Sequence, residues 1–332
     1  MTTLLFALFF VTAAPHYHVI KHFPVGGDTG WDYLTIDSTT HRLFISHADH
    51  VVVLDVVSGK VVGDIPKTEG VHGIALAREI RRGFVSNGKL NTVTIFDLDS
   101  LGVLGEAPTG ERPDAIMFEP VSSRVFTFNA AGKNTTAIDA ATGKVAGTIP
   151  LGGKPEFAVH DDKGHVYVNI EDTSELAVID AKTLAVTRRW KLAGCEEPSG
   201  LAIDREHKRL FSGCGNKVMA ISDLEAGKVI ATMPIGEGVD GDGFDPEYGV
   251  AFASNGGSGT LTVVRELAPD KFEVIDNVAT ARGARTMTVD QKTHHVFLPT
   301  AQFGPAPAAT TENPRPRRTI VPGTFEILEL AP

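Results

Sequence analysis

Five aspartates in this chain recur at steps of 42, 42, 41 and 43 residues: Asp55, Asp97, Asp139, Asp180 and Asp223. Each closes a short apolar run, as in Val51-Val-Val-Leu-Asp55, Val93-Thr-Ile-Phe-Asp97 and Ala177-Val-Ile-Asp180. A second run precedes most of them, in one pattern: Arg42-Leu-Phe-Ile-Ser46, Arg124-Val-Phe-Thr-Phe128, His165-Val-Tyr-Val-Asn169 and Arg209-Leu-Phe-Ser-Gly213. A Gly-Lys turn follows three of them (Ser58-Gly-Lys60, Thr142-Gly-Lys144, Ala226-Gly-Lys228), then a run ending near Ile65-Pro66, Ile149-Pro150 or Met233-Pro234. Short runs of alternating or fully apolar residues, punctuated by Gly, Asp and Pro, read as strands. A constant period near 42 residues means one repeated supersecondary unit. The recurring Asp reads as a turn former that accepts backbone N–H bonds, since the five lie on separate units and cannot share an ion.

Seven units start near Trp31, Val71, Pro113, Pro155, Pro198, Val239 and Ala284. The last has runs at 286–290, 295–299 and 324–330 and stops one strand short, and the segment His16-Tyr-His-Val-Ile-Lys-His-Phe-Pro24 supplies the missing one. The expected fold is all-β: a seven-bladed β-propeller of four-stranded antiparallel blades, its ring closed by the N-terminal strand completing the last blade. Closure leaves no open sheet edge. Residues 16–332 then form a single domain without a linker, with a Pro-rich loop insertion at 302–322.

This repeat, together with Cys195-Glu-Glu-Pro-Ser-Gly-Leu-Ala-Ile-Asp204, Ser254-Asn-Gly256 and Gly283-Ala-Arg-Thr-Met287, resembles the YVTN repeat of YncE-like β-propellers. The resemblance covers residues 19–330 and implies the propeller fold. It also implies an exported protein, and the YncE name carries a DNA-binding label. A fold does not transfer a function. The net charge of −10, with no stripe of basic and aromatic residues, argues against nucleic acid as a partner. Hydrophobic content of 42% and charged content of 22% place the chain among ordinary globular proteins rather than disordered ones.

Residues 4–11 are apolar and precede Thr12-Ala13-Ala14-Pro15, which reads as a secretory signal peptide over 1–14. No Lys or Arg precedes the apolar run, so a buried first strand is the other reading. Export predicts a periplasmic or secreted protein, and no later stretch is apolar and long enough for a membrane span. The two cysteines, Cys195 and Cys214, fall on the same rim of the fifth blade. A disulfide suits that placement and an oxidising compartment, and two buried thiols are the alternative.

Aligning the seven units brings one residue from each to the start of its innermost strand: Asp32, His72, Asp114, Glu156, Ser199, Asp240 and Arg285. These surround the mouth of the central channel, with Glu197 and Asp242 close by. Converging carboxylates repel unless cations, protons or N–H groups compensate them. Oxygen ligands suit Ca²⁺ or Mg²⁺, and adding His72 shifts the preference toward Zn²⁺ or Mn²⁺. A water-filled channel with structural carboxylates is the plainer account. His47 and His50, on a loop of the same rim, could join His72 and Asp240 as a transition-metal set, or be solvated loop histidines. The loop insertion ends in Arg315, Arg317 and Arg318, and either covers this mouth or stays without fixed structure.

Signatures of known catalytic sites are absent: no Gly-x-Ser-x-Gly elbow, phosphate loop, His-Glu-x-x-His or Cys-x-x-Cys. The expected function is therefore an exported, non-catalytic, monomeric scaffold that binds a cation, small ligand or protein partner at an acidic channel mouth. The alternative is a metal-dependent hydrolase or lyase, lactonase-like, with Asp32, His72, Glu156 and Asp240 as ligands of a divalent metal.

Overall fold

Each repeat folds as four antiparallel strands in chain order, and seven such sheets make the ring. The computed structural model describes residues 15–27, 30–268, 270–308 and 318–332. The predicted signal segment, and Arg315 and Arg317 of the insertion, lie outside the described residues. Blade 1 is typical, with strands Trp31–Asp37, Arg42–His47, His50–Asp55 and Lys60–Ile65. Blade 7 combines Thr288–Asp290, His295–Thr300 and Glu326–Ala331 with His18–Pro24 from the other end of the chain. That pair runs antiparallel from His18 opposite Ala331 to Pro24 opposite Glu326, so the ring is closed as the repeat count demands.

The hydrophobic pattern of each strand follows from its radial position. Third strands such as Val51-Val-Val-Leu54 lie between neighbouring blades on both faces and are buried throughout, which explains their unbroken apolar runs. Fourth strands face outward, and Val61 and Val62 are exposed. Apolar contacts run between blades: Phe44 and Val53 of blade 1 pack with Val85 and Phe96 of blade 2, and Phe126 and Phe128 of blade 3 with Val166 and Val168 of blade 4. No blade buries its faces alone, which is why the repeats form a closed ring.

Turn chemistry fixes the hairpins. The recurring aspartates accept backbone N–H bonds three residues on, from Ser58 to Asp55 at 2.6 Å, Ser100 to Asp97 at 2.8 Å, and Thr142 to Asp139, Thr183 to Asp180 and Ala226 to Asp223 at 2.7 Å. Those bonds hold Asp55 and Asp97 below the usual carboxylate range. Gly59 and Gly143, both at φ 71°, take the left-handed conformation that the Gly-Lys turn needs and that other residues adopt at a cost.

The arginine heading the second strand ties blades together. Arg42 donates to the carbonyl of Leu98 at 3.1 Å, Arg82 to that of Ala140 at 3.0 Å and Arg124 to that of Ala181 at 2.5 Å, each in the following blade. Cys195 and Cys214 form a disulfide, with Cα atoms 5.5 Å apart, just before the inner strand and at the end of the second strand of blade 5. No helix among the described residues is long and apolar enough to cross a membrane.

Candidate functional site

The inner strand of every blade starts at the same rim, so its first residues converge on the channel axis. All seven aligned residues line one funnel of about 810 Å³. Six of them form a chain of contacts around the ring. Ser199 donates to Asp240 at 2.8 Å, and Arg285 Nε donates to the other oxygen of Asp240 at 2.6 Å. Arg285 Nη2 reaches Asp32 Oδ1 at 2.9 Å, while the other Asp32 oxygen lies 2.6 Å from His72 Nδ1. That imidazole nitrogen is also 3.5 Å from Asp114. Glu156 stands outside the chain, paired with Lys154 at 2.7 Å.

Burial and crowding set the protonation of these groups. Burial pushes Asp114 up to about 6, with the charges of Asp32 and Asp240 adding to it and His72 opposing. Burial and then the Asp114 charge push Glu156 up to about 8, against the pull of Lys154. Asp240 is also raised by burial, moderated by Arg285. Burial alone would lower His72, but its bond to Asp32 and the charge of Asp114 leave it raised. Two carboxyls on the blade 3 and blade 4 side thus hold protons in the range where free carboxylates are ionised.

The mouth is mixed in charge rather than acidic. Arg112, Lys154, Arg282, Arg285 and Arg318 line the same funnel as the carboxylates Asp32, Asp114, Glu156, Glu171 and Asp240. The alignment that singled out Asp114 and Glu156 also exposes Arg112 and Lys154, two residues earlier in the same units. Glu171 sits in the next loop of blade 4, beside Lys154. Arg318 enters with the insertion, whose near end is anchored by a bridge between Phe303 and Ile320. Phe303 lies 6.1 Å from the ring of Trp31, and these three residues give the funnel an apolar patch.

Among the described residues, ligand-type atoms of three side chains approach within 4.8 Å in two places: Asp32, His72 and Asp114 in the funnel, and Asp204, His207 and Glu266 at the far end of the blade 5 inner strand. Neither includes His47 or His50, so His47, His50, His72 and Asp240 are not assembled at one point. His47 is 5% exposed and packs on Phe325, 4.9 Å between ring centres, while His50 bonds Asp49 at 3.0 Å. The strand alternation turns His47 toward blade 7 instead of the axis. In the funnel grouping both Asp32 oxygens are already bonded, to Arg285 and His72.

Glu197 does not line the funnel, and Asp242 lies one tier below the mouth. That tier encloses about 230 Å³ and is otherwise apolar at the equivalent position: Leu34, Ile74, Ile116, Ala158, Leu201 and Met287. Asp242 Oδ2 accepts the N–H of Gly213 at 2.5 Å, and Oδ1 has no partner among the described residues. Blade 5 departs from blades 2 and 6 in the same place. Ser86 and Ser254 occupy the position of Gly213 in blades 2 and 6, and each donates at 2.5 Å to a backbone carbonyl of the next blade. A Cβ on Gly213 would come within 2.7 Å of the Asp242 carboxylate, so the acid fills the space that a serine side chain fills elsewhere.

No protein-family description matches the chain, and no curated protein does. Solved structures do. The crystal structure of the RRP9 WD40 repeats is similar with a TM-score of 0.74 and 12% identity, over 96% of this chain and 99% of that one. The structure of U3-55K is similar with a TM-score of 0.73 and 11% identity, over 94% and 98%. At such identity the likeness is one of fold, and the funnel residues have to be read on their own chemistry.

Proposed function

We propose that this chain is an exported, non-catalytic propeller scaffold, of the YncE-like kind, that binds a small polar ligand in the funnel. The observation that carries the reading is the convergence of one polar or charged side chain per blade on a single cavity of about 810 Å³, a size usual for small-molecule sites. Within it, among the described residues, Asp114 meets only a shared contact to His72, and burial has raised it to about 6. A charged ligand group there supplies what the ring lacks. The disulfide fits an oxidising compartment and so supports export. A ring that closes without a partner strand supports the monomeric reading.

A metal-dependent hydrolase or lyase is the second reading, favoured by the Asp32, His72 and Asp114 grouping. Against it, a metal at Asp32 must displace Arg285 or His72 from oxygens they already hold. Thermal shift and calorimetry with Ca²⁺, Mn²⁺, Zn²⁺ and small organic ions, on wild type and Asp114→Asn, test the first reading. Binding that weakens in the variant is the expected result. A panel in which no ion binds or raises the melting temperature would make the funnel charges purely structural. Stoichiometric metal, with lactone turnover abolished by EDTA, would favour the enzyme.

A further inference from the structure

The charges in the funnel are sorted across it, not scattered. In a ring of seven, blade 7 faces the junction of blades 3 and 4. The blade 7 side carries Arg282 and Arg318 beside the apolar patch of Trp31, Phe303 and Ile320. Both arginines are exposed, and among the described residues neither has a carboxylate partner; the Arg318 contact is to the Gly304 carbonyl at 3.4 Å. Arg285, deeper on the same side, is spent on Asp240 and Asp32. The opposite side carries Asp114, Glu156 and Glu171, with Lys154 shared between the two glutamates. Arg112 lines that side too, so its three carboxyls exceed its two cations once Glu156 is ionised, and an arriving cation displaces the proton that burial holds on Glu156.

Opposed walls of this kind match a molecule charged positively at one end and negatively at the other. Resting on the reading of the funnel as a ligand site, we propose that the ligand is a zwitterion, a short peptide with free termini. Its ammonium end meets Asp114, Glu156 and Glu171, its carboxylate end meets Arg282 and Arg318, and an apolar side chain lies on Trp31 and Phe303. A free amino acid carries both charges on one carbon and cannot reach both walls. A cavity of about 810 Å³ is about 9 Å across if equidimensional, and an extended chain advances about 3.5 Å per residue, so a tripeptide spans it. Arginine suits the carboxylate end because its planar fork takes both oxygens.

The test is calorimetry with alanyl-phenylalanyl-alanine, its N-acetyl form and its C-amide. The proteins are wild type, Arg282→Ala/Arg318→Ala and Asp114→Asn, each checked for an unchanged melting profile. Wild type is expected to prefer the free peptide by about tenfold over either capped form, the size of one charged hydrogen bond. In the arginine variant the amide should no longer bind worse than the acid. In Asp114→Asn the penalty for acetylation should shrink. Equal binding of free and capped peptides overturns the proposal. Binding of Ca²⁺, Mn²⁺ or propylammonium without any peptide binding overturns it too, while leaving a ligand site in the funnel. Binding of nothing overturns both.

Discussion

Replacing Asp242 by asparagine is expected to stabilise the protein at neutral pH and to remove part of its pH dependence. Asp242 is 8% exposed, and burial, with the nearby Asp240 charge, pushes its carboxyl well above the usual range against one bond from Gly213. The folded state therefore keeps a proton on Asp242 that the unfolded chain releases near pH 4. An acid raised in the folded state exerts no penalty below its unfolded value, and its penalty grows as pH climbs toward the folded value. The slope is about 1.4 kcal/mol per pH unit wherever the folded state keeps this proton and the unfolded chain has lost it. The asparagine of Asp242→Asn would keep an oxygen for the Gly213 N–H and carry no titrating proton. Asp242→Leu would restore the apolar residue found in other blades, but strand that N–H at a cost of about 1–3 kcal/mol. Urea unfolding of the three proteins from pH 4.5 to 7.5 at constant ionic strength reads this directly, because groups common to all cancel in the differences. The expected order at pH 7 has the asparagine variant above both wild type and the leucine variant, and its lead over wild type widens as pH rises. A lead that shrinks with pH, or an asparagine variant less stable at pH 7, would falsify a protonated Asp242 and make it an ionised carboxylate sustained by its N–H bond.

Three further outcomes follow from particular contacts. The His72 imidazole should titrate above the ordinary histidine value in a proton NMR series, and Asp32→Asn should lower it. Its contribution to stability is complete below the unfolded value, about 6.5, and is lost as pH rises through the raised one. Reducing the disulfide, or Cys195→Ser with Cys214→Ser, should cost about 3 kcal/mol in chemical unfolding, since it frees a loop with a sequence separation of 19. Arg82→Ala removes donors to the carbonyls of Ala140 and Ala141 in the next blade and should cost about 1–2 kcal/mol, measured in urea.

Much of this architecture was legible in the chain. The Asp spacing, the Gly-Lys turns and the missing fourth strand at the end of the last unit determine seven closed blades, because strand period and turn chemistry are local properties. Aligning the units also brought seven rim residues to one place, since a ring carries equivalent positions to equivalent radii. What escaped were relations that depend on which way side chains turn. His47 reads as a rim ligand by position, but alternation along its strand sends it against Phe325. Arg112 and Lys154 were visible in the same alignment two residues upstream, whereas Arg318 reaches the funnel only through the fold of the insertion. The exchange of a serine in the second strand of blade 5 for an acid in the inner strand of blade 6 involves two blades, and neither residue announces the other in the sequence. Local periodicity decided the blades and their number. Only the closed ring decided which charges face each other across the funnel and which carboxyls keep their protons, because Coulomb energy and burial depend on distances in space that the order of residues does not contain.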